Sequence, residues 1–281
     1  MAIAGDLHGD WLDDDHELLI QLAPDGVLFV GDLGEADVRL VKAIKNLNIP
    51  TALILGNHDR GYDLTGELLR LQLNILGNIH CGWGLRNWQS PKIAVVGARP
   101  CSAGGGFYLS PEVVGVFGPI TLQESVNRIV LAAEDACEAM PLVILAHSGP
   151  TGLGSDADSP CGRDWRLPAV DWGDKDLELA IDQIRKKRIP DLVVFGHMHH
   201  SLKRGNKARK TFFEDRWGTI YLNAACVPRR KLDKDGNILH HLSWVQFLNG
   251  HLDYVSHRWF RNDTSIASEE ILLNRSNRSL V

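Results

Sequence analysis

Nowhere does the 281-residue chain sustain the roughly 18 uncharged apolar residues that a bilayer-crossing helix requires. It also lacks the opening of an exported protein, because Met1-Ala2-Ile3-Ala4-Gly5-Asp6 has no basic segment followed by a long apolar one. Cysteine is scarce and scattered: the five, at 81, 101, 137, 161 and 226, form no close pair, and an odd number leaves one over. Disulfide stapling is thereby disfavoured, and a cytoplasmic chain without membrane insertion is expected. The three Asn-x-Ser/Thr triplets beginning at Asn262, Asn274 and Asn277 carry no glycosylation meaning in such a compartment. A basic excess is missing too: 30 Lys and Arg stand against 35 Asp and Glu, a net charge of −5. That balance argues against a nucleic-acid coat protein and leaves open only a local basic groove. Apolar residues at 44% and charged residues at 23% match ordinary folded domains, excluding disorder, a coiled coil and a collagen-like fibre.

What is present is a rhythm. A short apolar run at 2–4 ends in Gly5-Asp6, and 13–23 has helical spacing with Asp13, Asp14 and Asp15 at its start. The run at 27–30 ends in Gly31-Asp32, a helical stretch follows at about 36–46, and 51–55 ends in Gly56-Asn57. Such alternation indicates βαβ units with buried parallel strands, whose carboxyl ends gather ligands. The pattern recurs with strands at 92–97, 141–147, 191–197 and 218–225, and helices at 121–138 and 174–187. Two long loops, 99–120 and 148–173, lie on the histidine-bearing side, and loops of that length are often functional. Asn249-Gly250 between two alternating arms signals a late hairpin, and the tail after 262 reads as surface or a short strand.

Six segments carry chemistry: GDLHG at 5–9, GDLGE at 31–35, GNHD at 56–59, AHSG at 146–149, GHMHH at 196–200 and, more weakly, NAAC at 223–226. One Gly-Asp after an apolar run is commonplace in turns; the weight lies in five strand ends delivering Asp, His or Asn to one edge. Carboxylate, imidazole and one carboxamide oxygen suit Mn²⁺, Fe²⁺ or Zn²⁺ better than Ca²⁺.

In this order and spacing the segments resemble the calcineurin-like metallophosphoesterase family, over about residues 2–226, most closely a branch of cyanobacteria and chloroplasts. The resemblance implies a metallophosphoesterase-type two-sheet α/β sandwich with outer helices. The expectation is one domain over 1–281, its core at about 2–226 and the late hairpin and tail at about 238–281. It also implies two divalent metal ions (Mn or Fe favoured over Zn). Asp6, His8 and His199 would hold the first, Asn57, His147 and His197 the second, and Asp32 would bridge them. The expected activity is that of a hydrolase cleaving a phosphomonoester or small phosphodiester by a metal-bridging hydroxide. His58 would face the leaving group, and Asp59 would orient it by accepting its other ring N–H.

Glu35 reads either as an N-terminal helix residue or as a partner in the site, and Asp10 as a surface turn or a partner of His8. His200, His240 and His241 read as structural or exposed, and Trp244, Tyr254 and Trp259 as packed sheet faces. Arg60, directly after the catalytic block, is the candidate contact to substrate phosphate, with Arg99, Arg163 and Arg166 in or beside the loops. The glycine-rich 102–107 lacks the Lys-Ser/Thr of a phosphate-binding loop and reads as a lid or turn. A phosphorylated small molecule or phosphoprotein is the expected partner. A metal-dependent nuclease is the alternative, weakened by the net charge of −5. A non-catalytic metal-binding scaffold would require a lost ligand or a lost His58, and neither is lost.

Overall fold

Strands of three or four residues are stable here because both their faces are covered. In the computed structural model, which describes residues 1–204 and 207–276, the elements begin with β1 (Ala2–Ala4), α1 (Asp13–Leu22), β2 (Val27–Phe29), α2 (Val38–Lys45), β3 (Thr51–Leu53) and α3 (Glu67–Leu76). There follow β4 (Leu85–Gln89), β5 (Lys92–Gly97), α4 (Pro111–Phe117), α5 (Leu122–Glu134), β6 (Leu142–Leu145), α6 (Lys175–Ile184) and β7 (Leu192–Phe195). The chain continues through β8 (Phe212–Glu214), β9 (Ile220–Asn223), β10 (Arg230–Leu232), β11 (Ile238–Leu248), β12 (His251–Phe260) and β13 (Ile266–Asn274). The triplet at Asn277 lies outside the described residues.

Two mixed sheets result. One runs β13-β12-β11-β1-β2-β3, with β10 on the flank of β11; the other runs β4-β5-β6-β7-β9-β8. The strands β1, β2 and β3 are parallel, as are β5, β6, β7 and β9, so each set delivers its carboxyl ends to one edge. Alternation divides the first sheet's side chains. Ile3, Leu28, Val30, Ala52 and Ile54 belong to one core cluster with Val95, Ile144 and Val194 of the second sheet. Ala2, Ala4, Val27, Phe29, Leu53 and Leu55 face outward onto Leu18 and Leu19 of α1, Ile44 of α2 and Leu69 of α3. Helices α5 and α6 cover the second sheet through Val126, Ile129, Leu177 and Ile181. This is an α/β sandwich with flanking helices.

The late hairpin forms as its turn demands: Asn249 and Gly250 hold φ of 52° and 81°, the doubly positive pair of a type I′ turn. Its first arm pairs antiparallel with β1, which joins the end of the chain to its beginning. Two expectations need correction. The tail is a nine-residue strand, β13, paired along β12 rather than a short one. The loop 99–120 contains α4, started by Ser110, whose hydroxyl accepts the Val113 N–H, and by Pro111 in the first turn.

Candidate metal centre

Each block leaves its strand in a sharp turn. Asp6, His8, Asp32 and His197 all hold positive φ, between 43° and 66°, a conformation costly for residues with a Cβ and concentrated at functional sites. The backbone must also pass close to the carboxylates: a Cβ at Gly56 would stand 2.2 Å from Asp32 Oδ1, and one at Gly196 2.1 Å from Asp6 Oδ1. Glycine at positions 56 and 196 is therefore a packing requirement.

The turns bring together the residues expected from the sequence. Asp6, His8 and His199 place ligand atoms within 4.8 Å of one another, as do Asp32, His147 and His197, and His8, Asp32 and His58 form a third, overlapping group. Asp32 faces both sides, with Oδ1 3.3 Å from His147 Nε2 and Oδ2 3.8 Å from His8 Nε2. His147 Nδ1 lies 2.7 Å from the Val30 carbonyl oxygen, so it must donate, which leaves Nε2 as a lone pair. That lone pair meets two further acceptors, Asn57 Oδ1 at 3.0 Å and Asp32 Oδ1. Three acceptors converging on one point suit a bound cation.

Burial would lower His147, but the Asp32 carboxylate raises it to about 10. Burial likewise opposes the Asp32 charge, yet His147 holds that carboxyl below the usual carboxylate range. His197 is lowered to about 4, by burial and then by His147. On the other side His8 Nε2 and His199 Nε2 approach to 3.2 Å, and the buried Asp6 Oδ1 has no hydrogen-bond partner among the described residues. Among the described residues no Lys or Arg pairs with Asp6 or Asp32, whose ion-pair partners are histidines. An unpaired buried oxygen, facing imidazole lone pairs and a carboxylate open on two sides fit a pair of divalent cations.

The residue held against His58 differs from the expected one. Asp59 is fully buried and accepts the backbone N–H groups of Leu33 (2.8 Å), Gly34 (3.3 Å) and Gly56 (2.8 Å). Those bonds spend the carboxylate on tying the second block to the third, and leave none for His58. Glu35 takes the place instead, with Oε1 2.5 Å from His58 Nδ1 and Oε2 2.5 Å from the Tyr62 hydroxyl. Glu35 stands outside α2, whose N-cap is Asp37, at a φ of 50° that turns its side chain back toward the site. The sequence signal for Glu35 was its place in the second block; nothing local marked its partner 23 residues later.

A cavity of about 410 Å³ opens over Asp32, His58, His197 and His199. The loop 148–173 supplies Asp164, Trp165 and Trp172 to its wall, the loop 99–120 supplies Ala103, and Lys203 and Arg209 close it. Trp165 and Trp172 meet edge to face at 5.4 Å. The glycine-rich 102–107 is a turn clamped to the other loop: Gly105 N–H donates to the Trp172 carbonyl, and Trp172 Nε1 donates to Ala103. Arg99 anchors this arrangement, buried against Asp174 at 2.6 Å and Asp176 at 3.0 Å, and is no anion contact. Arg163 stacks on Trp172. Arg60 does not line the cavity and stands 3.8 Å from Glu112. Arg209, unmarked by sequence, donates to the His199 carbonyl at 2.9 Å and to three carbonyls of the long loop. Asn223 of the weak sixth segment donates to the Met198 carbonyl at 2.7 Å, bracing the His197–His199 turn.

A family model described as calcineurin-like phosphoesterase matches residues 1–201. No curated protein matches the chain. Among solved structures, the chain is similar to a protein of Thermus thermophilus at 11% identity and a TM-score of 0.52, covering 97% of both chains. It is similar to a dimetal phosphatase from Danio rerio at 11% identity and a TM-score of 0.54, covering 97% of this chain and 98% of that one. At such identities the likeness is one of fold.

Proposed function

Because the chain belongs to the calcineurin-like phosphoesterase family, we propose that it hydrolyses a small phosphorylated molecule at the seven-ligand cluster of Asp6, His8, Asp32, Asn57, His147, His197 and His199. The arrangement is a binuclear-metal site of the kind that hydrolyses phosphoester bonds, and the reading rests above all on the acceptors gathered about Asp32. Two divalent cations held there (manganese or iron in preference to zinc) supply Lewis-acid polarisation of the phosphoryl oxygens and a lowered pKa for the attacking water.

The remaining work falls to side chains of this chain. Asp32 offers one oxygen to each half of the cluster and accepts the His58 backbone N–H at 2.9 Å, so ligand and acid–base group move together. Glu35 accepts from His58 Nδ1 and fixes the ring, so that the imidazolium form of His58 presents its Nε2 proton to the departing oxygen. Tyr62 in turn fixes Glu35. Asp59 holds the two turns that carry Asp32 and Asn57 in register. Lys203 and the edge-to-face tryptophans support recognition of a phosphate carrying a planar or apolar group. We read Lys203 rather than Arg60 as the phosphate contact.

A cavity of about 410 Å³ suits a small molecule better than a phosphorylated protein surface. We read the chain as one such domain, because β11 is built onto β1. Among the described residues no helix is long and apolar enough to cross a membrane, and all five cysteines are unpaired, which supports a reducing compartment. The relation to a cyanobacterial and chloroplast branch rests on motif resemblance alone. Assay of protein reconstituted with manganese or iron on a panel of phosphomonoesters and diesters tests the proposal. Metal-dependent turnover of a small ester is expected; protein with both ions bound that cleaves none of the panel would overturn it.

A further inference from the structure

Behind the strand-end cluster lies a second gathering of soft donors. His200 follows β7, Cys226 follows β9 and His241 sits within β11, so the three come from both sheets. Each offers a ligand atom, and these atoms lie within 4.8 Å of one another. They open on a cavity of about 250 Å³, separate from the one over His58.

The donors are prepared rather than spent. His200 Nε2 is 3.0 Å from the Asn223 carbonyl oxygen, so it carries the proton and Nδ1 is the free lone pair. Among the described residues no hydrogen bond reaches the His241 ring, which is 4% exposed, an uncommon state for a buried imidazole. Burial, then the neighbouring His257, holds His241 neutral, the form that binds a metal. His257, the nearby fourth imidazole, is committed at both nitrogens, to the Ser243 hydroxyl at 2.8 Å and Thr211 at 2.9 Å. The lining carboxylate of Glu269 is committed to Arg258 and Tyr254. Glu270 also lines the cavity, from the exposed side, and the Cys226 thiol makes one long contact, to the Pro228 carbonyl at 3.8 Å; the atoms that converge are two imidazole nitrogens and one sulfur.

We propose that His200, Cys226 and His241 form a third metal site, for a thiophilic divalent ion of the zinc class, distinct from the strand-end centre. Two nitrogens and a thiolate as the converging donors select zinc over manganese or magnesium. Three protein ligands beside a cavity leave the fourth position to water. Burial pushes the Cys226 thiol up to about 12, against the pull of Lys231 and Arg229, so the ion would displace its proton on binding. Occupancy would pin the β7 and β9 ends to β11, one residue from His199.

A thiolate-to-cobalt band reports on this site alone, because the strand-end ligands contain no sulfur. Full-length protein titrated with Co²⁺ should take up three equivalents and show a thiolate-to-cobalt charge-transfer band in the near ultraviolet. Cys226→Ser should lose that band and one equivalent while keeping two ions and phosphoesterase turnover. Wild-type protein without the band would overturn the proposal whether or not the variant folds. A band that persists in C226S would also overturn it, by placing the sulfur ligand elsewhere. Failure of the phosphoesterase reading would not change these spectra, so the two fail separately.

Discussion

Two regions bring Asp and His within 4.8 Å of one another and differ in what balances the charge. Between α1 and β11, Asp15 is met by Arg229 at 2.5 Å and by His240 Nδ1 at 2.7 Å, while Arg230 reaches Asp14 at 2.9 Å. At the strand ends Asp6 and Asp32 pair only with histidines among the described residues. A guanidinium already fills the place of a cation in the first region, which makes it a structural ion-pair network. The second region has no such partner, and its deficit is that of an ion site. Residue type alone does not separate the two; the presence or absence of a fixed cation does.

Breaking the strand-end side of this comparison should have the largest effect. Asp32→Asn removes the anion shared by both halves and should cut turnover by more than about 10⁴-fold, beyond the worth of one acid–base group. Bound metal, measured by elemental analysis, should fall below two equivalents; full activity with two ions retained would exclude Asp32 as the bridge. His58→Ala should keep both ions and lower kcat by roughly 10²–10⁴-fold, more for an alkyl phosphate than for a nitrophenyl one, since a stabilised phenolate departs with little help. Glu35→Gln should show the same leaving-group dependence at roughly 10–100-fold, the usual worth of a hydrogen-bond partner behind an active group. Equal kcat for E35Q and wild type on the alkyl ester would remove Glu35 as the orienting residue.

The network around Asp15 should respond in stability alone. Asp15→Asn leaves Arg229 buried without its partner and should cost about 3 kcal/mol in urea unfolding, with kcat unchanged. Burial works to raise the Asp15 carboxyl, but His240 and Arg229 bring it down to about 2 from an ordinary 3.8. A depressed carboxyl stabilises in full above its unfolded pKa and loses that contribution as pH falls through the folded one. The stability gap between wild type and D15N should therefore narrow between about pH 4 and pH 2; a constant gap would mean that charge is not what Asp15 contributes.

The strand-end cluster was legible because its signals are local: each ligand sits within a few residues of a buried strand, and parallel strands send their ends to one edge. The same logic failed for Asp59. The family resemblance paired it with His58, whereas the turn at Gly56 points the Asp59 carboxylate inward, onto backbone N–H groups of two blocks. Glu35 became the partner through a left-handed backbone that no composition rule signals. Strands β4, β8 and β10 are short and largely exposed, so they carry little apolar alternation to read. β13 is mostly exposed too, and exists because β12 offers it an edge. The Asp15–His240 contact spans 225 residues and was invisible for that reason.

The most direct test of the strand-end centre is the anomalous diffraction of manganese-loaded crystals. Two peaks about 3.5–4 Å apart are expected, with Asp32 between them. One should lie beside Asp6, His8 and His199, and the other beside Asn57, His147 and His197. A single peak, or a pair with Asp32 touching only one of them, would contradict the binuclear centre.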